Sequence, residues 1–168
     1  IVGANFWQFI LLIGTGILLF VWLVLSASYR LKRFTGFLEP FKDPYGTGFQ
    51  LTNSLMAFGR GEISGEGLGN SIQKLDYLPE AHTDFIMAII GEEFGFIGIL
   101  VVVILLGLLI FRAMKIGRES LMLEQRFRGF FALGISFWIF FQGFVNLGMA
   151  LGMLPTKGLT FPLVSYGG

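Results

Sequence analysis

The sequence predicts an all-α polytopic integral membrane protein, a fragment with three transmembrane helices joined on one side by a long loop. Hydrophobic residues make up 54% of the 168 residues and charged residues 14%, whereas soluble domains have about 45–50% and about 25%. Three stretches contain no charged side chain: 1–29, 94–111 and 129–156. About 20 apolar helical residues cross the roughly 30 Å hydrocarbon core of a bilayer. Each stretch is therefore long enough, or nearly so, to span a membrane.

These stretches divide a single membrane domain, 1–168, into elements. We predict a first span over 6–28, a polar loop over 29–83, a second span over 84–111, a charged turn over 112–128, a third span over 129–153 and a segment over 154–168. The third span ends before Pro155, because the residue before a proline disfavours the helical conformation. We expect the chain to be an excerpt of a longer polytopic protein.

The basic residues give only a weak indication of orientation. Five lie in the turn over 112–128, and five lie near the helix ends on the opposite side. Basic loops face the cytoplasm, and only the higher density in the short turn favours that side for it. The net charge is +1 and there is no cysteine. These two facts argue against nucleic-acid binding and exclude disulfides and cysteine-based zinc sites.

The long loop is rich in glycine and in acidic residues. Its glycines either form ordinary turns or let backbone N–H groups converge on a phosphate, and the sequence leaves both interpretations open. No Gly-Lys-Ser/Thr motif is present, so the loop is not a nucleotide P-loop. Within the loop, the apolar spacing over 50–58 predicts a short helix that lies against the membrane surface or the end of the bundle.

Several acidic residues are candidates for chemistry or for structure. Asp84 lies where the polar loop meets the second span, at the level of the lipid headgroups, and would act either as a reactive carboxylate or as a helix N-cap. Asp76 is a second carboxylate in the loop. Glu92 and Glu93 lie about two turns into the span, where a charge is costly, so at least one should face the bundle interior as a structural polar group. His82 has no second histidine for a metal pair.

Several motifs in this order resemble the SEDS family of shape, elongation, division and sporulation proteins. They are GRGE over 59–62, GLGNS over 67–71, LPEAHTDFI over 78–86, GEE over 91–93, LPTKGLT over 154–160 and FPLVSYGG over 161–168. The segments AFGRGE over 57–62 and PTKG over 155–158 are more similar to the division branch of the family than to its elongation branch. The resemblance covers essentially the whole chain.

The resemblance implies most of the C-terminal half of a ten-helix bacterial inner-membrane protein of the division septum. The long loop would then be extracytoplasmic (periplasmic) and the turn over 112–128 cytoplasmic. The implied activity is that of a peptidoglycan glycosyltransferase, which polymerises lipid II and releases polyprenyl diphosphate. The implied partners are a class B penicillin-binding protein transpeptidase and other divisome proteins. The excerpt alone should be inactive, since the family's other functional residues lie outside it.

The family's catalytic aspartate falls on Asp84, and a second functionally sensitive acid falls on Asp76. A general base must accept the proton of the attacking sugar hydroxyl, which suits a carboxylate. The diphosphate leaving group develops negative charge, which a cationic side chain or a divalent cation would stabilise. The candidate substrate-binding cations are Arg60, Lys74 and Lys157, and each would otherwise pair with lipid headgroups.

Two other functions are open at this point. The protein would be a lipid II flippase if Glu92 or Glu93 were the working charge, although a transporter should hold that charge near the bilayer midplane. It would be a non-catalytic scaffold if its role were to recruit the transpeptidase. The position of Asp84 at the interface favours the enzyme.

Overall fold

A computed structural model describes residues 6–26, 37–46, 48–73, 78 and 82–166. The helices in this part of the chain are α1 (Phe6–Leu25), α2 (Phe49–Gly61), α3 (Ile86–Met122) and α4 (Arg126–Ala150). By length and composition, α1, α3 and α4 are able to cross a membrane, which confirms the predicted all-α fold with three spans. The predicted short helix over 50–58 lies within α2.

The second span continues well beyond its predicted end at residue 111. Because α3 has 37 residues, it is about 55 Å long at 1.5 Å per residue, so it exceeds the roughly 30 Å hydrocarbon core. The prediction of a turn over 112–128 is therefore wrong: its first eleven residues are helical, and only 123–125 separate α3 from α4. Charged residues such as Lys115 and Glu119, whose side chains approach to 3.8 Å, do not end a helix, because Lys, Arg and Glu are good helix formers.

Left-handed residues end both long helices. After α3, Glu124 has φ 59°, and the N–H of Gln125 reaches back to the carbonyl of Ser120 at 2.9 Å. After α4, Gly152 has φ 71°, and the N–H of Met153 reaches back to Gly148 at 2.7 Å. These are Schellman-type ends, which satisfy the last carbonyls of a helix and reverse the chain.

The short helix α2 packs on one end of the hairpin that α3 and α4 form. Its buried Ser54 hydroxyl donates to the carbonyl of Ala150 at 2.8 Å, and Ala57 belongs to a buried cluster with residues of α3 and α4. The other members of that cluster are Leu78, Phe85, Ala88, Ile89 and Ala150, with Phe58 packed against it. The described side chains of α1 are all exposed.

The helix α3 is broken at Gly95, where φ is 66° and ψ is −162°. The glycine-rich loop, residues 62–73, fills the break with its own backbone. The N–H groups of Glu66 and Gly67 each donate at 3.0 Å to the carbonyls of Glu92 and Glu93. In the other direction, the N–H of Phe96 donates to the carbonyl of Glu62 at 2.9 Å. The N–H of Ile97 donates to the carbonyl of Ile63 at 3.3 Å. The loop therefore replaces the missing turn of the helix.

Candidate active site

Residues 82–84, just before α3, are held by the C-terminal part of α4 and by the segment after it. The carbonyl of His82 accepts the N–H of Tyr166 at 3.0 Å. The carbonyl of Thr83 accepts the hydroxyl of Ser165, and the carbonyl of Asp84 accepts the side-chain amide of Asn146 at 2.8 Å. Three successive carbonyls thus have donors from α4 or from the segment after it. This pairing fixes the backbone from which the carboxylate of Asp84 projects.

Asn146 connects the two segments that meet at this junction. Its side chain is 0% exposed, and its amide nitrogen donates both to Asp84 and to the carbonyl of Leu159, at 2.5 Å. One turn earlier on α4, Gln142 donates to the carbonyl of Thr160 at 3.0 Å. Asn146 therefore joins the segment after α4 to the start of α3, and Gln142 holds that segment against α4.

Lys157 precedes the glycine, Gly158, at which the chain approaches Asp84. A Cβ on Gly158 would lie 3.2 Å from Oδ2 of Asp84, so the carboxylate contacts the chain one residue from Lys157. The N–H of Leu159 donates to the carbonyl of Lys157 at 2.8 Å, which makes a tight turn around the glycine. The side chain of Lys157 is exposed, and the ion pairs found within the described residues do not include it.

A second polar cluster surrounds Glu92, whose side chain is 0% exposed. Its Oε2 accepts the hydroxyl of Ser71 and the N–H of Gln73 at 3.2 Å, and its Oε1 accepts the N–H of Ile72 at 3.2 Å. The guanidinium of Arg60 lies 3.6 Å from Oε1. A carboxylate can accept about four hydrogen bonds; that of Glu92 accepts three and has a guanidinium beside it. Glu92 thereby ties the glycine-rich loop to α3.

Comparison with known proteins identifies the family. The family model for FtsW, RodA and SpoVE, described as "Cell cycle protein", matches residues 1–168. The chain belongs to this family. The predicted resemblance to SEDS proteins is therefore confirmed.

The curated relatives are similar along the whole chain. A probable peptidoglycan glycosyltransferase FtsW of Haemophilus influenzae is 89% identical over 168 residues, which is 100% of this chain and 43% of the relative. The protein of the same name from Escherichia coli O157:H7 is 59% identical over 166 residues, covering 99% of this chain and 40% of the relative. The chain thus spans less than half the length of these relatives.

A solved structure has the same fold. It is described as "Structural coordination of polymerization and crosslinking by a peptidoglycan synthase complex". The matching chain has a TM-score of 0.64 and 29% sequence identity, over 96% of this chain and 44% of that chain.

The SEDS-family candidates fall into two groups in the structure. Asp84 lies just before α3 and contacts the chain at Gly158, the residue after Lys157, while Arg60 and Glu92 lie together at the glycine-rich loop, roughly 10 Å further along the helix. Glu93 is half-buried, and its carbonyl is bonded to the loop. Lys74 and Asp76 lie outside the described residues. Within the described part, no three His, Asp or Glu side chains are grouped to hold a metal ion.

The sequence analysis missed the residues that hold the site together. These are Ser71, Gln142, Asn146 and Ser165. Gln142 and Asn146 had a usable signal: they are polar amides four residues apart in a charge-free span, so they share one helix face, and polar groups within a span are buried and paired. Ser71 and Ser165 had no such signal, because serines are common in loops.

Proposed function

We propose that the complete protein is a peptidoglycan glycosyltransferase that polymerises lipid II into glycan strands during septal cell-wall synthesis. The observation that carries the proposal is the junction at the start of α3. There, a carboxylate on a fixed backbone contacts the chain at Gly158, one residue after the exposed Lys157, at the end of an apolar span. The name shared by the relatives, probable peptidoglycan glycosyltransferase FtsW, supports the same activity.

Asp84 is the proposed general base. Lipid II is anchored in the membrane, so its sugars and its diphosphate lie at the interface, which is where Asp84 lies if α3 crosses the bilayer. The attacking sugar hydroxyl gives its proton to the carboxylate as its oxygen bonds to the anomeric carbon of the second sugar. The bond from that carbon to the diphosphate breaks at the same time. Three bonded carbonyls keep the base in one place, which such a reaction requires.

Lys157 is the proposed partner of the leaving diphosphate. A cation beside the developing negative charge stabilises the transition state, and the exposed Lys157 immediately precedes the glycine that Asp84 contacts. Arg60 is a weaker candidate, because its guanidinium lies 3.7 Å from Glu66 and 3.6 Å from Glu92. Its charge is already compensated by these two carboxylates. Lys74 and Asp76 remain candidates from the family resemblance, and a divalent cation would be a second means of neutralising the diphosphate.

The surroundings of Glu92 favour an enzyme over a flippase. A transporter needs a charge that faces a pathway near the bilayer midplane. The carboxylate of Glu92 instead faces donors from the glycine-rich loop. A class B penicillin-binding protein transpeptidase is the proposed partner, in the inner membrane at the division septum. The solved relative supports such a partner, since its description joins polymerization and crosslinking in one complex.

The test is a polymerisation assay of the complete protein with its transpeptidase partner on purified lipid II. We expect Asp84→Ala and Asp84→Asn both to abolish glycan formation while the protein still folds and inserts. Glu119→Gln, which removes an acid from the opposite end of α3, should keep the parent's activity. The N-cap of α3 is Phe85, without a side-chain cap bond, so Asp84 is not the helix cap that the sequence allowed. Near-normal activity of Asp84→Asn would therefore show that the carboxylate is not the general base.

A further inference from the structure

We propose that Glu92 is a positioning residue, which holds Ser71–Gln73 and Arg60 against α3 and so sets the geometry around Asp84. This inference rests on the proposed function, in which Glu92 has no chemical role. Its side chain nevertheless has 0% exposure, and its oxygens face one hydroxyl, two backbone N–H groups and a guanidinium.

Glutamine cannot replace this carboxylate without losing a bond. Each oxygen of Glu92 faces a backbone N–H, that of Ile72 at Oε1 and that of Gln73 at Oε2. A glutamine has one acceptor oxygen and one NH₂ donor. In either orientation its NH₂ group therefore meets a backbone donor. A serine hydroxyl can rotate to accept instead of donate, but a backbone N–H has no such freedom.

The loop connects Glu92 to the surroundings of Asp84 through described contacts. Glu92 accepts the N–H of Gln73, and the carbonyl of Gln73 accepts the N–H of Leu78 at 3.0 Å. Leu78, 3% exposed, belongs to the same buried cluster as Phe85, the residue after Asp84. Release of Gln73 would therefore loosen the packing beside the proposed base.

The competing explanation is that Glu92 only stabilises the fold. Ser54→Ala is the matched control for it, because Ser54 is also 0% exposed and its hydroxyl bonds to Ala150 of α4 and not to the glycine-rich loop. Glu66→Gln is the control for charge. It removes a carboxylate 3.7 Å from Arg60, and the hydrogen bonds described for the side chain of Glu92 do not involve it.

The experiment measures lipid II polymerisation by the complete protein and its Glu92→Gln, Glu92→Asp, Glu66→Gln and Ser54→Ala variants, with thermal unfolding of each. A displacement of about 1 Å costs about 100-fold in rate, so we expect kcat of Glu92→Gln to fall about 10- to 100-fold. The KM for lipid II should stay within about threefold, as for a lost interaction that acts in the transition state. Glu92→Asp should recover part of kcat, and Glu66→Gln should match the parent.

Hydrogen exchange supplies a readout that needs no activity. In Glu92→Gln, the amides of Ile72 and Gln73 should exchange faster while those of α4 stay as protected as in the parent. Faster exchange throughout α4, or an equal loss of kcat in Ser54→Ala at the same unfolding temperature, would overturn the proposal. Unchanged kcat and unchanged exchange in Glu92→Gln would also overturn it. An inactive parent would refute the proposed function instead, and the exchange result would still decide whether Glu92 anchors the loop.

Discussion

Replacing Asn146 with leucine would remove the connection between the two segments of the proposed active site. The leucine has the same branched shape but is larger and has no donor, so the carbonyls of Asp84 and Leu159 lose the amide that now lies 2.8 and 2.5 Å away. A buried polar group left unpaired costs about 1–3 kcal/mol. Both bonds are only partly buried, so water replaces part of the lost bonding. We expect a destabilisation of about 2–3 kcal/mol.

Two variants on the same helix calibrate this value. Ser136 is 1% exposed, but its hydroxyl bonds only to Ala132 of its own helix, at 2.7 Å, so Ser136→Ala should change stability by about 1 kcal/mol or less. Gln142 holds the same segment as Asn146 at a less buried position. The destabilisation caused by Gln142→Leu should therefore lie between those of Ser136→Ala and Asn146→Leu.

The assay is unfolding of the complete protein in detergent, followed by lipid II polymerisation below the unfolding temperature. Asn146→Leu should lose most of its activity even where it is fully folded, because the backbone of Asp84 is no longer held to the Lys157–Leu159 segment. An Asn146→Leu protein with the stability and activity of Ser136→Ala would refute this account of the junction.

The remaining predictions concern which side of the membrane each connecting segment faces, and the role of Lys157. In a cysteine-free version of the complete protein, an impermeant thiol reagent applied to intact spheroplasts should label Ser64→Cys but not Ser120→Cys, and the reverse result would invert the proposed topology. Lys157→Gln should weaken lipid II use much more than stability, and Lys157→Arg should recover part of the loss because it restores the charge. Equal activity of Lys157→Gln and the parent across a lipid II titration would leave Lys157 as an interfacial anchor.

The spans were predictable from the sequence because burial in lipid requires long charge-free stretches, and these are visible in composition alone. The length of α3 was not predictable in the same way. A helix that leaves the membrane needs no apolar residues, and the charged side chains of its extension over 112–122 interrupt the charge-free stretch by which the span was recognised. Only the left-handed conformation of Glu124 marks the true end. Glutamate is not a residue type that predicts a positive φ, so the sequence does not indicate this end.

Asp84 was predictable as a candidate because a carboxylate at the edge of a span is unusual, and the motif around it is specific to the family. Its supports were not, since they are pairings between residues far apart in the chain. The bond from Asn146 joins positions 62 residues apart, and the bond from Ser165 joins positions 82 residues apart. A local sequence pattern does not predict to which distant carbonyl a side chain will donate a hydrogen bond.

The glycines of the loop have a role that neither sequence interpretation included. Turns and a phosphate nest were the alternatives, but Gly61 and Gly65 are also where the loop backbone meets α3. A Cβ at these positions would lie 1.8 Å from the carbonyl oxygen of Gly91 and 2.3 Å from that of Glu93. Any side chain there would push the loop out of the break at Gly95.

The position of that break explains why the loop must remain attached. Gly95 lies eleven residues after Asp84, so if Asp84 is at the interface the unwound backbone lies within the span, where unpaired backbone groups are costly. The loop pairs four such groups on α3, two carbonyls before Gly95 and two N–H groups after it. A loop that moved away would leave these groups unpaired, and a continuous helix would require Gly95 to abandon its positive φ and turn the first part of α3 relative to the rest. The glycine-rich loop and the start of α3 therefore behave as one unit, and whatever acts on the loop acts on the helix that carries Asp84.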